Sequence, residues 1–285
     1  MRHAALLFLT GCSIAASGPP AEDLAPDASV EPDAADPDPL HSIHLQLGVA
    51  TDDSPADDYL VVHAEFAESY NRYLNAPNWV SYRTTRSDFG AVERYAGDFY
   101  ADTSLPAGYV RLEHADMNGS GFDRGHMLRS EERTETIARN YATFVMTNVL
   151  PQQADLNRGP WFDFELYVQR RVESFSAPMD AYEIAGPVWP AACAHHVPRA
   201  VADGCRDAGH GADPTRHIAV PEATFKIVVL VPRGTALGAT AAPEIVAVLM
   251  PNISGILDVR WWNYRSSVEE IEQRTGYDFL SALIR

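Results

Sequence analysis

The stretch Gly121-Phe-Asp-Arg-Gly-His-Met-Leu-Arg129, with Thr147-Asn-Val-Leu-Pro-Gln-Gln-Ala-Asp-Leu-Asn-Arg-Gly-Pro-Trp161 downstream, decides how the rest of the chain is read. The first segment sets an acid, a base, a glycine and a histidine together directly after an apolar residue. Arg124 offers a planar fork of donors that matches a phosphate. His126 titrates near neutral pH when unperturbed, so it can take a proton from water. Gly125 relieves crowding where the backbone turns or a ligand comes close. The second segment delivers Asn148 and Asn157, nine residues apart, and Glu165 follows eight residues later. Neutral amide oxygens are hard ligands suited to Mg2+, a cation that usually keeps most of its waters.

The charge around these segments is uneven. The 285-residue chain carries a formal charge of −17, unusual for a nucleic-acid binder. Residues 1–71 hold thirteen acids and one base, Arg2, a net of −12. Residues 72–285 hold twenty-six acids and twenty-one bases, a net of −5. Twenty-one of the twenty-two bases are arginine, and Lys226 is the sole lysine. With no basic tail or run, phosphate binding must rely on a local cleft. That suits a turnover enzyme better than a tight reader of sequence.

The N-terminal 43 residues read as targeting and tether. Residues 1–12 place Arg2 before the apolar run Ala4-Ala-Leu-Leu-Phe-Leu9 and then Leu9-Thr-Gly-Cys12, like a bacterial lipoprotein signal cleaved before a lipidated Cys12. An ordinary signal peptide cut near Ala15-Ala16 is the alternative. Either implies export, with the enzyme anchored to the envelope or secreted. Residues 13–43 form an acidic Pro/Ala linker with scarcely a large apolar side chain. Such a segment buries too little surface to offset its ordering entropy, so disorder is expected. The domain follows as residues 44–285.

Within it, Tyr59-Leu-Val-Val-His-Ala-Glu-Phe66, Trp79-Val-Ser-Tyr-Arg83 and Tyr109-Val-Arg-Leu112 read as strands, rich in β-branched and aromatic residues. Phe144-Val-Met-Thr147, Tyr182-Glu-Ile-Ala185, His217-Ile-Ala-Val220 and the runs 225–231 and 244–250 add more. Residues 131–142 and 267–274 read as helices, the second with an acidic start that favours its dipole. Asp155 reads as the N-cap of a helix to residue 173. Asn157 would then lie in its first turn, and Glu165 about 80° further round, bordering the same cleft. Runs of strands with helices inserted argue for α+β around a mostly antiparallel sheet.

Taken together, these motifs resemble the DNA/RNA non-specific endonucleases, the sugar-non-specific ββα-metal nucleases with an Asp-Arg-Gly-His signature. The likeness continues in Asn78-Trp-Val-Ser-Tyr82, Leu105-Pro-Ala-Gly108, Phe225-Lys-Ile-Val-Val229 and Thr275-Gly-Tyr-Asp-Phe-Leu280, and so covers residues 58–285. It implies a central, mostly antiparallel sheet with flanking helices and an embedded ββα-metal (His-Me finger) motif. It also implies Mg2+-dependent cleavage of DNA and RNA with little sequence preference, Mn2+ being a substitute. By resemblance, His126 is the general base and Asn157 the sole protein ligand to the metal, its bland alternative being a helix cap. Glu165 would orient metal-bound waters. Arg94, in Glu93-Arg-Tyr95, matches the upstream phosphate-binding arginine, with Arg83 and Arg86 as alternative counterparts. Arg124 is either a phosphate contact or an ion pair with Asp123, which braces the turn. Asn148 orients the histidine or contacts phosphate, unless it only forms the turn before Pro151.

Cys193 and Cys205 bracket a segment, 193–213, that has no counterpart in the resemblance. In an exported chain a disulfide is the favoured reading. A metal site with His195, His196 and His210, or free thiols, are the alternatives. Two functional rivals stand beside the endonuclease: a hydrolase of small phosphodiesters, and a non-catalytic nucleic-acid-binding module on the same fold.

Overall fold

In the computed structural model, residues 42–283 are described, apart from 192, 194–204, 210–212, 238 and 240–242. The signal-like segment with Cys12, nearly all of the linker, and His195, His196 and His210 lie outside the described residues. Three strands come first: β1 (Tyr59–Val62), β2 (Ala67–Asn71) and β3 (Ala76–Thr84). A short pair follows, β4 (Asp123–His126) and β5 (Val149–Gln152), with helix α1 (Ile137–Ala142) between them. Helix α2 (Ala154–Leu156), a π turn (Asn157–Trp161) and α3 (Phe162–Glu173) run on as one broken helix. Then come β6 (Met179–Val188), β7 (Ala223–Pro232), β8 (Glu244–Pro251), β9 (Arg265–Ser266) and α4 (Val268–Thr275).

Seven strands form one sheet in the order β1-β2-β3-β6-β7-β8-β9, every neighbour antiparallel. The α+β expectation therefore holds. The ββα element differs from expectation in one respect: β4 and β5 make a separate two-stranded sheet rather than joining the large one. Their register pairs Asp123 with Gln152 and His126 with Val149.

Period-two alternation decides what faces the site. Along β7, Phe225, Ile227, Val229 and Val231 pack with Leu45, Leu47, Ile271 and Phe279 on one face. Val228 and Leu230 pack on the other with Leu150, Leu156, Trp161, Phe164 and Val168, the layer that carries the ββα element. Lys226 alternates with Phe225 and Ile227, so it belongs to this second face, where it is wholly buried. Cys193 and Cys205 are disulfide-bonded and join the same core. Because both sulfurs are committed to that bond, they do not ligate a metal.

Several local readings need correction. Residues 109–112 form no strand. Side chains hold them instead: Tyr109 packs on Tyr59, and Arg111 donates to the carbonyls of Thr103 and Leu105. Residues 131–142 are not one helix. A 3-10 turn at Ser130–Glu132 buries Glu132, and α1 starts only after Thr136, whose hydroxyl accepts from Arg139 N. At 144–147 there is one bridge, Val145 to Tyr100, before a 3-10 turn, and at 217–220 one bridge, Ala219 to Asp207. Asp155 is no N-cap: it lies inside α2, and its carboxylate accepts from Gly255 N at 2.6 Å. By contrast, α4 keeps its expected start, capped by Ser267, and ends at Gly276 with φ 85°.

Candidate active site

The β4–β5 pair and the broken helix face each other across a cleft of about 340 Å³ lined by Arg94, Arg124, His126, Arg129, Glu131, Asn157, Arg158, Phe162 and Glu165. Five of the six expected site residues are thus brought together. Asn148 is not among them. It is fully buried, with Oδ1 accepting from Leu128 N at 2.8 Å and Nδ2 donating to the carbonyls of Leu128 and Thr143 at 2.9 Å. Asn148 therefore pins the chain two residues beyond His126 and is out of reach of a phosphate in the cleft.

His126 closes β4 just after Gly125, whose lack of a side chain leaves room for the buried Gln152 side chain. A Cβ there would come within 2.0 Å of Gln152 Oε1 and 2.4 Å of its Cδ. The imidazole is held between the rings of Phe99 and Phe144, at 5.0 and 4.9 Å, and is 8% exposed. Burial, helped by the positive charges of Arg94 and Arg129, pushes its pKa down to about 3. The ring is thus a neutral base, and its Nε2 has no hydrogen-bond partner among the described residues. Buried polar atoms are nearly always paired, so an unpaired one on a cleft-lining base points to function.

The helix side begins with a break. Gly159 has φ −105° and ψ −112° inside the π turn, and a Cβ on it would meet Leu257 O at 2.5 Å. Just before the break, Asn157 Nδ2 donates to Asp123 Oδ2 at 3.0 Å, while Arg158 Nε and Nη2 grip the same carboxylate at 2.8 and 2.7 Å. Asp123 therefore clamps β4 to the π turn and pairs with Arg158, not with Arg124. The clamp fixes the Asn157 amide by its nitrogen and leaves Oδ1 as the atom free to bind a cation. This donor set fits a hard divalent ion that keeps its waters.

Glu165, 5% exposed, lies 3.6 Å from Arg129 Nε and 3.7 Å from Lys226 Nζ. Burial pushes its pKa up to about 7 although Lys226 and Arg129 pull the other way, with Glu132 and Glu131 adding to the rise. Arg94 lies over the Phe144 ring at 4.8 Å, hydrogen-bonds Ser130 Oγ and stands 3.5 Å from Glu131. Arg83 and Arg86 do not line the cleft; Arg83 pairs with Asp180 and Arg86 with Glu173. Arg124 donates to His114 O and Asn118 Oδ1. Four arginines against two glutamates thus give the cleft the local positive character that the chain as a whole lacks. Sequence reading assigned no role to Arg129, although it closes the opening stretch three residues after His126. It also missed Phe162, which Arg129 covers at 5.0 Å.

Outside the cleft, His63, Glu68 and Asp102 bring ligand-type atoms within 4.8 Å of one another, a group able to hold a metal ion. His63 Nε2 lies 3.0 Å from Glu68 Oε1 and 3.4 Å from Asp102 Oδ2. Burial opposes a charge on His63, but its hydrogen bonds to Asp102 and Glu68 and the charges of both carboxylates prevail and raise its pKa to about 9. The raised pKa of His63 favours a protonated ring here, with which a cation would compete.

The family model described as DNA/RNA non-specific endonuclease matches residues 46–285. A nuclease of Nostoc sp. is 35% identical, covering 98% of this chain and 90% of its own. Mitochondrial endonuclease G of Homo sapiens is 29% identical over 68% of this chain, which spans 60% of that relative's length. Among solved structures, a chain of the EndoG/EndoGI complex superposes with TM-score 0.67 at 23% identity, covering 88% of this chain and 95% of that one. With the matched model spanning the whole of the domain that holds the cleft, the chain belongs to the DNA/RNA non-specific endonuclease family and is an endonuclease.

Proposed function

We propose that the cleft cuts phosphodiester bonds inside DNA and RNA chains with little sequence preference, using His126 as general base and Mg2+, or Mn2+ in its place, at Asn157. The observation that carries this reading is the neutral, unpartnered His126 in an arginine-lined cleft opposite the free amide oxygen of Asn157. His126 takes the proton of the attacking water, and its low affinity for a second proton keeps it ready at neutral pH. Arg94, Arg124 and Arg129 line the space a phosphate would fill and oppose the charge that grows on it. A bound Mg2+ would supply Lewis-acid stabilisation of the departing oxygen. Asn157 would hold such an ion without neutralising it, and Glu165 would accept hydrogen bonds from its waters. Arginines that contact phosphate carry no sequence information, so a cleft lined by four of them favours gripping backbone over reading sequence. The signal-like start is read as export, with a lipid anchor at Cys12.

Plasmid nicking with and without EDTA tests the reaction. Internal cuts that stop on chelation and return with Mg2+ are expected. Turnover of small chromogenic diesters with intact plasmid would instead favour the small-substrate hydrolase. For the ligand, Asn157→Ala should raise the Mg2+ concentration needed for half-maximal rate, and Asn157→Asp should bind the ion at least as well yet cut more slowly. An Asn157→Ala enzyme with the wild-type Mg2+ requirement would place the ion elsewhere.

A further inference from the structure

Beneath the cleft, on the inner face of the sheet, the chain's sole lysine is wholly buried. Lys226 Nζ donates to Tyr82 Oη at 2.8 Å and to the carbonyl of Met127 at 3.2 Å. It lies 3.7 Å from Glu165 Oε1 and 3.9 Å from Glu183 Oε2, and 5.0 Å from the centre of the Trp161 ring. Tyr82 Oη lies 3.1 Å from both Met127 O and Glu183 Oε2 and donates its one proton to one of them. Tyr82, Glu183 and Lys226 come from three adjacent strands of one sheet, with Tyr82 paired directly to Glu183. An ammonium buried this deeply is expensive to desolvate. Further along the same face of the strand the positions are apolar, Val228 and Leu230, so the charge is confined to the point where the buried carboxylates of Glu165 and Glu183 approach.

We propose that Lys226 is a positioning residue for catalysis: its buried ammonium ties the carbonyl of Met127, the residue after His126, to the carboxylate of Glu165, and so sets the base against the water-ordering acid across the cleft. The two groups sit on separate elements, β4 and α3. The Asp123 clamp joins those elements at the mouth of the cleft and Arg129 reaches Glu165 from its side, while Lys226 links them from beneath. The compact ammonium suits the task because its three donors diverge toward partners on different elements, which a planar guanidinium does not match. Neither Lys226 nor Tyr82 lines the cleft, so neither touches substrate. The inference rests on the role given to Glu165 above.

The test is a double-mutant cycle with Lys226→Met, which keeps length and removes charge, and Glu165→Gln. Expected for folded Lys226→Met is a kcat on plasmid DNA reduced on the order of 10–100-fold, the usual effect of losing an outer-shell partner, with KM little changed. Adding Glu165→Gln should cost little more, because the two act as a unit. Melting temperature is followed alongside, since a merely structural lysine would lower stability and leave kcat per folded molecule alone. A folded Lys226→Met enzyme with wild-type kcat, or fully additive losses in the cycle, overturns the proposal. If Glu165→Gln alone is as active as wild type, it is the role of Glu165 that fails. Should Lys226→Met not fold, Tyr82→Phe removes one hydroxyl from the same link. It should lower kcat at unchanged KM and be non-additive with Glu165→Gln, and wild-type kcat in that variant rejects the link.

Discussion

Glu132 and Arg133 are neighbours in sequence, both fully buried, and they enter two different charged regions. Arg133 enters a knot where charges meet closely. Its Nε lies 2.7 Å from Glu65 Oε2, and it donates to the carbonyls of Glu132, Glu65 and Arg83. Arg139 grips the same Glu65 at 2.7 and 2.8 Å and reaches Asp88 at 2.8 Å. Glu132 enters the region under the cleft, and neither of its carboxylate oxygens has a hydrogen-bond partner among the described residues. Burial, with Glu183 close by, pushes its pKa up to about 8, although Lys226, Arg129 and Arg133 oppose the rise. Other buried atoms without a hydrogen-bond partner among the described residues on this side are His126 Nε2, Trp161 Nε1 and Glu183 Oε1. Arg133 Nε in the knot is another, but it faces the Glu65 carboxylate as an ion pair. One region uses charge to hold the fold. The other leaves charge incompletely answered where chemistry is done.

The strongest way to break this contrast is His126→Ala. Cleavage should fall at least ~10²–10⁴-fold, the contribution of a positioned base, while the melting temperature stays near that of wild type. Plasmid nicking and thermal denaturation together decide it; a folded variant with near-normal turnover would remove His126 from the mechanism. Arg133→Met should do the reverse. Leaving Glu65 short of one buried partner is expected to destabilise by about 3 kcal/mol, read by urea unfolding, with kcat per folded molecule unchanged. Loss of activity ahead of loss of fold would show that the knot also serves the cleft.

A finer test uses pH. The Glu132 carboxyl is raised in the fold from its ordinary 4.5 to about 8, so the folded state holds a proton that the unfolded state releases. Wild-type stability should therefore fall as pH climbs from about 4.5 through about 8. Glu132→Gln removes that residue's share of the dependence, the rest staying with carboxyls such as Glu165, so its melting temperature should gain on wild type across the same window. Parallel curves would mean that Glu132 is ionised and paired after all.

Much of this was legible in the sequence, for reasons that differ by residue. His126, Asn157 and Glu165 could be singled out because local spacing and family likeness point to them within short segments, and Arg94, one of three candidates, lines the same cleft with them. The alternation of β7 was readable because each side chain reports its own face. The strand expected at 109–112 was not, because a strand needs a partner edge, and partners come from far along the chain. Asp155 has the chemistry of a cap, but the competing donor, Gly255 N, lies 100 residues away. Lys226 illustrates the same limit. As a lone lysine it was visible at once, yet only the sheet register and the packing of α3 bring it to Glu165.

That burial also has a practical side. Because Lys226 is the chain's sole lysine and has no exposed surface, the folded domain offers no ε-amine to an amine-directed reagent. Conjugation through lysine would leave the enzyme unmarked until the sheet opens. The rate at which such a reagent adds to Lys226 thus becomes a single-site clock for opening of the central sheet, readable by mass spectrometry without any engineered probe.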